Sequence, residues 1–271
     1  MPEGAVAGRC SHVPDPSTGP FVNRVRIYLL RAGTFISAID GFLACGASHV
    51  VHFVPAHPTV LARRSPRYRE ILNRGELNVP DGVSVQIALR LMGRRTERLP
   101  GSRAVELLCA FGVDRGLGHA FYGGTPAVVE RLAATLASAH PGIRITAIES
   151  PPFRDLSDAE LEDAADRLRA TGTDVLWVGL GTPKQDLVAR KLQLATAAPV
   201  ILCVGAAFDF LSGSKQRAPR WVQAIGMEWM HRLASEPQRL WSRYLVGNPQ
   251  FVLGVATDYA RSRLGRKPSH R

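Results

Sequence analysis

The chain has 271 residues, of which 45% are hydrophobic, 21% charged and 7% aromatic, a globular composition that excludes intrinsic disorder, collagen and a disulfide scaffold. Lys and Arg outnumber Asp and Glu by 34 to 23, and the net charge of +11 points to an anionic partner such as nucleic acid, a phosphate-bearing ligand or an acidic membrane. Residues 211–271 alone hold 11 basic and 3 acidic residues, a net +8, so the positive field belongs to the tail.

Residues 1–20 are rich in Pro, Gly and Ser and lack the basic start and apolar run of a signal peptide, which predicts a disordered lead-in and a cytoplasmic protein. The four cysteines, Cys10, Cys45, Cys109 and Cys203, show no C-x-x-C pair or zinc spacing and read as reduced. From residue 21 to 212, short β-branched runs alternate with helical patterns, the signature of an α/β fold of βα units stacked on a mostly parallel sheet. Strands are expected at Val25 to Tyr28, Val50 to Val54, Leu77 to Val79, Ala120 to Tyr122, Ile143 to Ile148, Val175 to Val178 and Val200 to Val204. Helices are expected at Thr59 to Asn73, Ser84 to Gly93, Ala104 to Gly112, Pro126 to Ala139, Asp158 to Ala170 and Lys184 to Ala195. In the fifth of these, Leu161, Ala164, Ala165 and Leu168 recur at helical spacing, with acids on the first turn and Arg167 and Arg169 on the last. The longest apolar stretch, Ala197 to Phe208, is too short to span a bilayer.

Residues 213–271 change character. Trp221, Trp229, Trp241, Tyr244, Phe251 and Tyr259 interleave with basic residues, and Pro219, Pro237 and Pro249 punctuate the stretch. This predicts a helical C-terminal appendage of short helices, each opened by a proline in its first turn. Arg232, Arg239 and Arg243 are spaced by seven and four, one stripe on an unbroken helix, although Pro237 falls between them.

Several turns carry candidate chemistry. Asn78-Val79-Pro80-Asp81-Gly82 places a carboxylate at a strand's carboxyl end, where open α/β sheets bind ligands and where Asp81 can act as general base. Local sequence alone reads it first as a plain Pro-Asp-Gly turn. Val178-Gly179-Leu180-Gly181-Thr182-Pro183-Lys184-Gln185-Asp186 leaves a strand and opens a helix, offering N–H groups, a positive dipole end and Lys184 to a phosphate. It is neither a Walker loop nor a dinucleotide fingerprint. Gly123 and Gly124 repeat the logic after Tyr122, and two such turns on neighbouring strands suit a ligand with two phosphates. Asp209, after Gly205-Ala206-Ala207-Phe208, reads as a helix cap or a contact to a ligand sugar. His57 lies just past a strand end, on the edge that Asp81 shares, and is otherwise a solvent-exposed loop residue. No Asp-x-Asp metal motif follows an apolar strand, so neither a metal nor a cofactor is expected.

The ordered motifs resemble the WecG/TagA/CpsF glycosyltransferases (glycosyltransferase family 26) from about Val50 to about Val252. The resemblance rests on the Asp81 turn, the Gly179 turn, Gly205 to Asp209, and above all on Arg217-Ala218-Pro219-Arg220-Trp221, Gly226-Met227-Glu228-Trp229-Met230-His231-Arg232-Leu233 and Glu236-Pro237-Gln238-Arg239-Leu240-Trp241 with Arg243-Tyr244. It implies inverting transfer of an N-acetylmannosamine-type sugar or other hexose from a UDP-sugar to a polyprenyl-diphosphate-linked saccharide, without a metal, in cell-surface polysaccharide or teichoic-acid-type biosynthesis. It also implies a Rossmann-like α/β core with a C-terminal appendage that completes the site, and peripheral association with an anionic membrane surface on its cytoplasmic side. Carried onto this chain, Asp81 is the general base. His57, Gly82, Gly123, Gly124, Asp209 and the run Gly179, Gly181, Thr182, Pro183, Lys184 and Gln185 surround the donor, and Arg217, Arg232, Arg239 and Arg243 grip a diphosphate. The family usually has Gly where Ser84 stands, Asp where Arg103 stands, and Thr or Asn where Pro55 stands. A homologue that binds nucleotide sugar without turnover is the alternative. A nucleic-acid-binding protein is the third reading, favoured only by the positive charge; nucleic acid is not an expected partner, because the tail fits this family better than any RNA or DNA motif, and self-association into a homo-oligomer stays open.

Overall fold

A computed structural model describes residues 19–31, 33–219, 222 and 227–263. The lead-in up to residue 18, with Cys10, and the motif residues Arg220, Trp221 and Gly226 lie outside the described residues. Of the other cysteines, Cys109 and Cys203 are free and buried, whereas Cys45 is disulfide-bonded, which corrects the expectation of four reduced thiols.

The chain opens with an antiparallel hairpin, β1 (Phe21–Val22) and β2 (Val25–Arg26). Its two turn residues, Asn23 and Arg24, have φ of 52° and 66°, as a two-residue hairpin turn of matching twist demands. The expected strand from Val25 to Tyr28 therefore ends early and stays outside the main sheet. That sheet has six strands in the order β4-β3-β8-β7-β5-β6. They are β3 (His49–Val54), β4 (Leu77–Pro80), β5 (Gly118–Gly123), β6 (Arg144–Glu149), β7 (Val175–Gly179) and β8 (Val200–Cys203). All pairings are parallel, so the architecture is a Rossmann-like α/β core with helices on both faces.

Alternating strand residues set the two faces. One face packs Phe53, Val79, Phe121, Trp177 and Leu202 against α1 (Thr34–Ala44), α5 (Gly101–Arg115) and α6 (Pro126–Ala139). The other packs Ala120, Tyr122, Leu176, Val178 and Ile201 against α7 (Asp158–Ala170) and α8 (Lys184–Leu194). Helix α7 begins in a full capping box between Ser157 and Glu160. The helix expected over Thr59 to Asn73 is two, α2 (Ala56–Arg64) and α3 (Pro66–Arg74). Pro66 forces Ser65 into an extended conformation, and the Ser65 hydroxyl then caps α3. Helix α4 (Val83–Leu91) follows the Asp81 turn, and a short α9 (Ala207–Leu211) follows β8.

The C-terminal part contains α10 (Glu228–Ser235), α11 (Pro237–Trp241), a π-helical turn (Ser242–Val246) and α12 (Gly247–Arg263). Of the three prolines, Pro237 opens α11 as expected, whereas Pro249 sits two residues inside α12. What Pro219 opens falls, apart from Val222, outside the described residues. The break at Glu236 also ends the stripe imagined for Arg232, Arg239 and Arg243. Helix α12 sends Phe251 and Val255 into a third core with Val22, Val25, Val60, Leu72 and Leu89. Asn23, fully buried, donates to Thr59 Oγ1 at 3.1 Å and to the Phe251 carbonyl at 3.5 Å, tying the hairpin, α2 and α12 together. No helix among the described residues is long and apolar enough to cross a membrane.

Candidate active site

A cavity of about 660 Å³ opens at the carboxyl edge of the sheet, within the range typical of small-molecule sites. Every strand of the parallel sheet delivers a lining residue from the loop that follows it: Pro55, Asp81, Gly124, Ser150, Leu180 and Val204. The C-terminal helices close another side with Glu228, Trp229, Arg232, Arg243 and Tyr244. Of the residues singled out in the sequence, His57, Asp81, Gly82, Gly124, Gly179, Gly181, Thr182, Lys184, Gln185, Asp209, Arg217, Arg232 and Arg243 line this cavity. Gly123 and Pro183 do not line it. Arg239 falls on α11, but its side chain is outside the described set. Pro55 and Ser84 also line the cavity, whereas Arg103 faces solvent and pairs with Glu106 at 3.0 Å.

Asp81 ends the turn after β4, half-buried, with its amide 3.4 Å from the Val54 carbonyl. Burial and the nearby Glu228 carboxylate push its pKa up to about 6, against the opposing pull of Arg98, Arg217 and Arg232. Among the described residues no ion pair reaches the Asp81 carboxylate, so it faces the cavity as a proton acceptor of near-neutral strength. Arg98 was not foreseen. No motif surrounds it, and it is carried to Asp81 by a backbone hydrogen bond of 3.0 Å from Leu99 N to the Pro80 carbonyl. Glu228 lies 3.9 Å from Arg98 and 3.7 Å from Arg217.

The two glycine turns meet as expected, since β5 and β7 are neighbours and Gly123 pairs with Gly179. At Gly123, φ is 131° and an added Cβ would lie 2.6 Å from the Gly179 carbonyl oxygen, so this glycine serves strand packing rather than the cavity. The amide of Gly181 is not free for a phosphate, because it donates to Gln185 Oε1 at 3.1 Å. Gln185 is 3% exposed and also donates to the Cys203 carbonyl at 3.3 Å. It therefore braces the turn against β8. Behind it, Asp186 is buried and accepts hydrogen bonds from Tyr68 Oη at 2.6 Å and His52 Nδ1 at 2.8 Å. Only Asp186 of this trio stood in a quoted motif, and its partners arrive from β3 and α3. His52, Asp186 and Cys203 form a cluster of metal-ligand types among the described residues. Each Asp186 oxygen is already engaged, and burial pushes the Cys203 thiol up, which disfavours the thiolate a metal requires.

The remaining charged groups are tethered. The Lys184 ammonium donates to the Arg154 carbonyl and sits 5.9 Å from the ring of Phe153, a fully exposed aromatic at the cavity rim. Asp209 does not cap α9, whose N-cap is Ala206. Its carboxylate pairs with Lys215 at 3.1 Å. Arg217 and Arg232 both stack on Phe210, at 5.9 and 5.7 Å, and Arg217 donates to Ser102 Oγ at 3.0 Å. His57 has a pKa lowered to about 4 by burial and by Arg243 and Arg64, so its imidazole is neutral at pH 7. The arrangement can accept a proton at Asp81 and hold negative charge on fixed guanidinium groups a short distance away.

The description "Glycosyl transferase WecG/TagA/CpsF family" matches residues 22–265 of the chain. The chain is also similar to N-acetylglucosaminyldiphosphoundecaprenol N-acetyl-beta-D-mannosaminyltransferase of Bacillus spizizenii strain W23, with 28% identity over 205 residues, 74% of this chain and 77% of that protein. A match that runs from the β1 hairpin to the end of α12 takes in every element that lines the cavity, and the chain belongs to the WecG/TagA/CpsF family of glycosyltransferases.

Proposed function

We propose that the protein is an inverting glycosyltransferase that moves an N-acetylmannosamine-type sugar, or another hexose, from a UDP-sugar to a polyprenyl-diphosphate-linked acceptor. The observation that carries this reading is the Asp81 carboxylate, without an ion pair among the described residues and with a pKa of about 6, in a cavity shared with Arg98, Arg217 and Arg232. Asp81 takes the proton from the acceptor hydroxyl as its oxygen attacks the anomeric carbon. The bond from that carbon to the UDP oxygen breaks on the opposite side, which inverts the configuration. Charge collects on the departing diphosphate, and the cavity's arginines together with Lys184 neutralise it, a role for which no divalent cation is required. His57, Gly82 and the turns at Gly124 and Gly179 to Thr182 shape the donor pocket, with Gln185 holding the second turn in place.

Residues 213–271 act as an appendage that completes the site and meets the inner face of an anionic membrane. Support for this comes from the net charge of the tail and from exposed Trp241, Leu245, Val246, Val252 and Leu253, an apolar stripe along the run from the end of α11 through the π-helical turn into α12. The relative from Bacillus spizizenii carries a lipid diphosphate acceptor and a mannosaminyl donor in its name, which favours the same substrate classes here. The test is transfer from a panel of UDP-sugars to a polyprenyl-diphosphate disaccharide precursor in vesicles, with EDTA present. Turnover with one preferred sugar, lost in Asp81→Asn while UDP binding persists, is the expected result. Failure of every UDP-sugar to bind or react would overturn the reading.

A further inference from the structure

Three arginines, Arg98 from the segment before α5, Arg217 from the segment after α9 and Arg232 from α10, face Asp81 across the cavity. An unopposed group of this kind would close on the carboxylate and hold it as a stable ion pair, too weak a base to take a proton from a hydroxyl. That closure has not happened. No ion pair reaches Asp81 among the described residues, and two of the three arginines are instead drawn toward another carboxylate, Glu228, at 3.9 Å from Arg98 and 3.7 Å from Arg217. Glu228 is one of three acidic residues in the 61-residue basic tail, it lies in the first turn of α10, and it lines the cavity. Its side chain is about one-fifth exposed, so its charge is only weakly screened.

We infer that Glu228 is a positioning residue for transfer: by drawing Arg98 and Arg217 to itself, it keeps Asp81 unpaired and basic. This rests on the reading of Asp81 as the base. Glu228 also adds a negative charge near Asp81, which works in the same direction by disfavouring a second anion. The other charged or titratable groups lining the cavity are His57, Lys184, Asp209, Arg243 and Tyr244. Asp209 is paired with Lys215, Lys184 is tethered to the Arg154 carbonyl, and His57, beside Arg243, is neutral above about pH 4. Glu228 further couples base strength to the C-terminal helices, because α10 must be seated for the arginines to be held.

The test compares wild type, Glu228→Gln, Glu228→Asp and Asp81→Asn in two ways across pH 4.5–8.5. The first is the pH profile of kcat/KM for sugar transfer, which reports the ionisation of the free protein. Its acidic limb should fall near pH 6 in wild type and move down by about one unit in Glu228→Gln, with kcat at pH 7.5 reduced roughly tenfold and KM for the UDP-sugar changed much less. Glu228→Asp, which keeps the charge, should hold the limb close to wild type. The second readout needs no activity: the Tm difference between a chain and its Asp81→Asn counterpart steps as Asp81 titrates, and that step should move down by the same amount in the Glu228→Gln background. If no chain transfers sugar, the glycosyl-transfer reading fails while the unfolding step still decides the role of Glu228. A step and limb that stay in place in Glu228→Gln, even with activity lost, would reduce Glu228 to a prop for α10 and overturn the proposal.

Discussion

Asp81 binds its proton more tightly in the folded chain than in the unfolded one, which has consequences for stability as well as for chemistry. Its folded pKa of about 6 exceeds the ordinary value of 3.8, so this group lowers stability as pH rises from about 4 to 6 and leaves it lowered at neutral pH. Asp81→Asn should therefore raise Tm at pH 7.5 by about 2–4 °C, on the order of 1 kcal/mol after allowance for cavity water, with the gain fading toward pH 4. The same substitution should cut transfer by about 10²–10⁴-fold. Calorimetric scans beside activity assays would show both, and a Tm gain that does not vary with pH would contradict the assigned shift. His57 runs the other way. With a folded pKa of about 4 against 6.5, it leaves stability intact above 6.5 and removes it as pH falls toward 4. His57→Gln should flatten the fall in Tm between pH 6.5 and 4, which a pH series of thermal melts would reveal. The position of Asp81 was legible because a strand end followed by Pro-Asp-Gly places a carboxylate on a known edge. Its partners were not, since Arg98 and Glu228 come from distant segments and meet only in the folded chain.

At the scale of elements, alternation of buried runs with helical patterns gave the parallel sheet, and α6 and α7 span the expected residues because each has a strong opening signal, Pro126 and the Ser157–Glu160 box. Helix α1 was missed, having Gly33 at its N-cap, no side-chain cap and no acid in its first turn. Its buried Phe35, Ala38, Ile39 and Phe42 carry the helical spacing that could have found it. The hairpin strands were shortened by tertiary context, two residues each being too few for periodicity to register. The turn after β7 was read as a phosphate cradle, yet its shape depends on Gln185, whose side chain occupies the Gly181 amide and spans to β8. Gln185→Ala leaves that amide without its partner and removes both braces, a loss of about 1–3 kcal/mol. We expect a lower Tm and UDP affinity weakened by about tenfold in a calorimetric titration. Unchanged affinity would mean that the turn holds its form without the brace.

For the whole molecule, the division between a core and a functional appendage must be reconciled with a C-terminal helix that is also structural. Phe251 and Val255 complete the third core together with the N-terminal hairpin and α2 to α4, so removing everything after Gly213 would strip that core as well as one wall of the cavity. Truncation therefore cannot separate membrane contact from folding, but the two faces of the same helical segment can. Phe251→Ala should cost about 3–5 kcal/mol and destabilise the entire chain. The combined Trp241→Ser, Leu245→Ser, Leu253→Ser variant alters only exposed side chains, so its Tm and UDP affinity should stay near wild type. If these residues enter the headgroup region, each contributes a fraction of the roughly 1.5–3 kcal/mol available from full burial of a large apolar side chain. Binding to vesicles rich in anionic lipid should then fall by more than tenfold, and turnover with a vesicle-borne acceptor should fall with it, while turnover with a short, water-soluble acceptor is preserved. Adding salt should weaken binding of both chains, because the basic residues of the tail remain. Equal vesicle binding by the triple variant and wild type would leave charge alone as the attraction and remove the apolar stripe from the account.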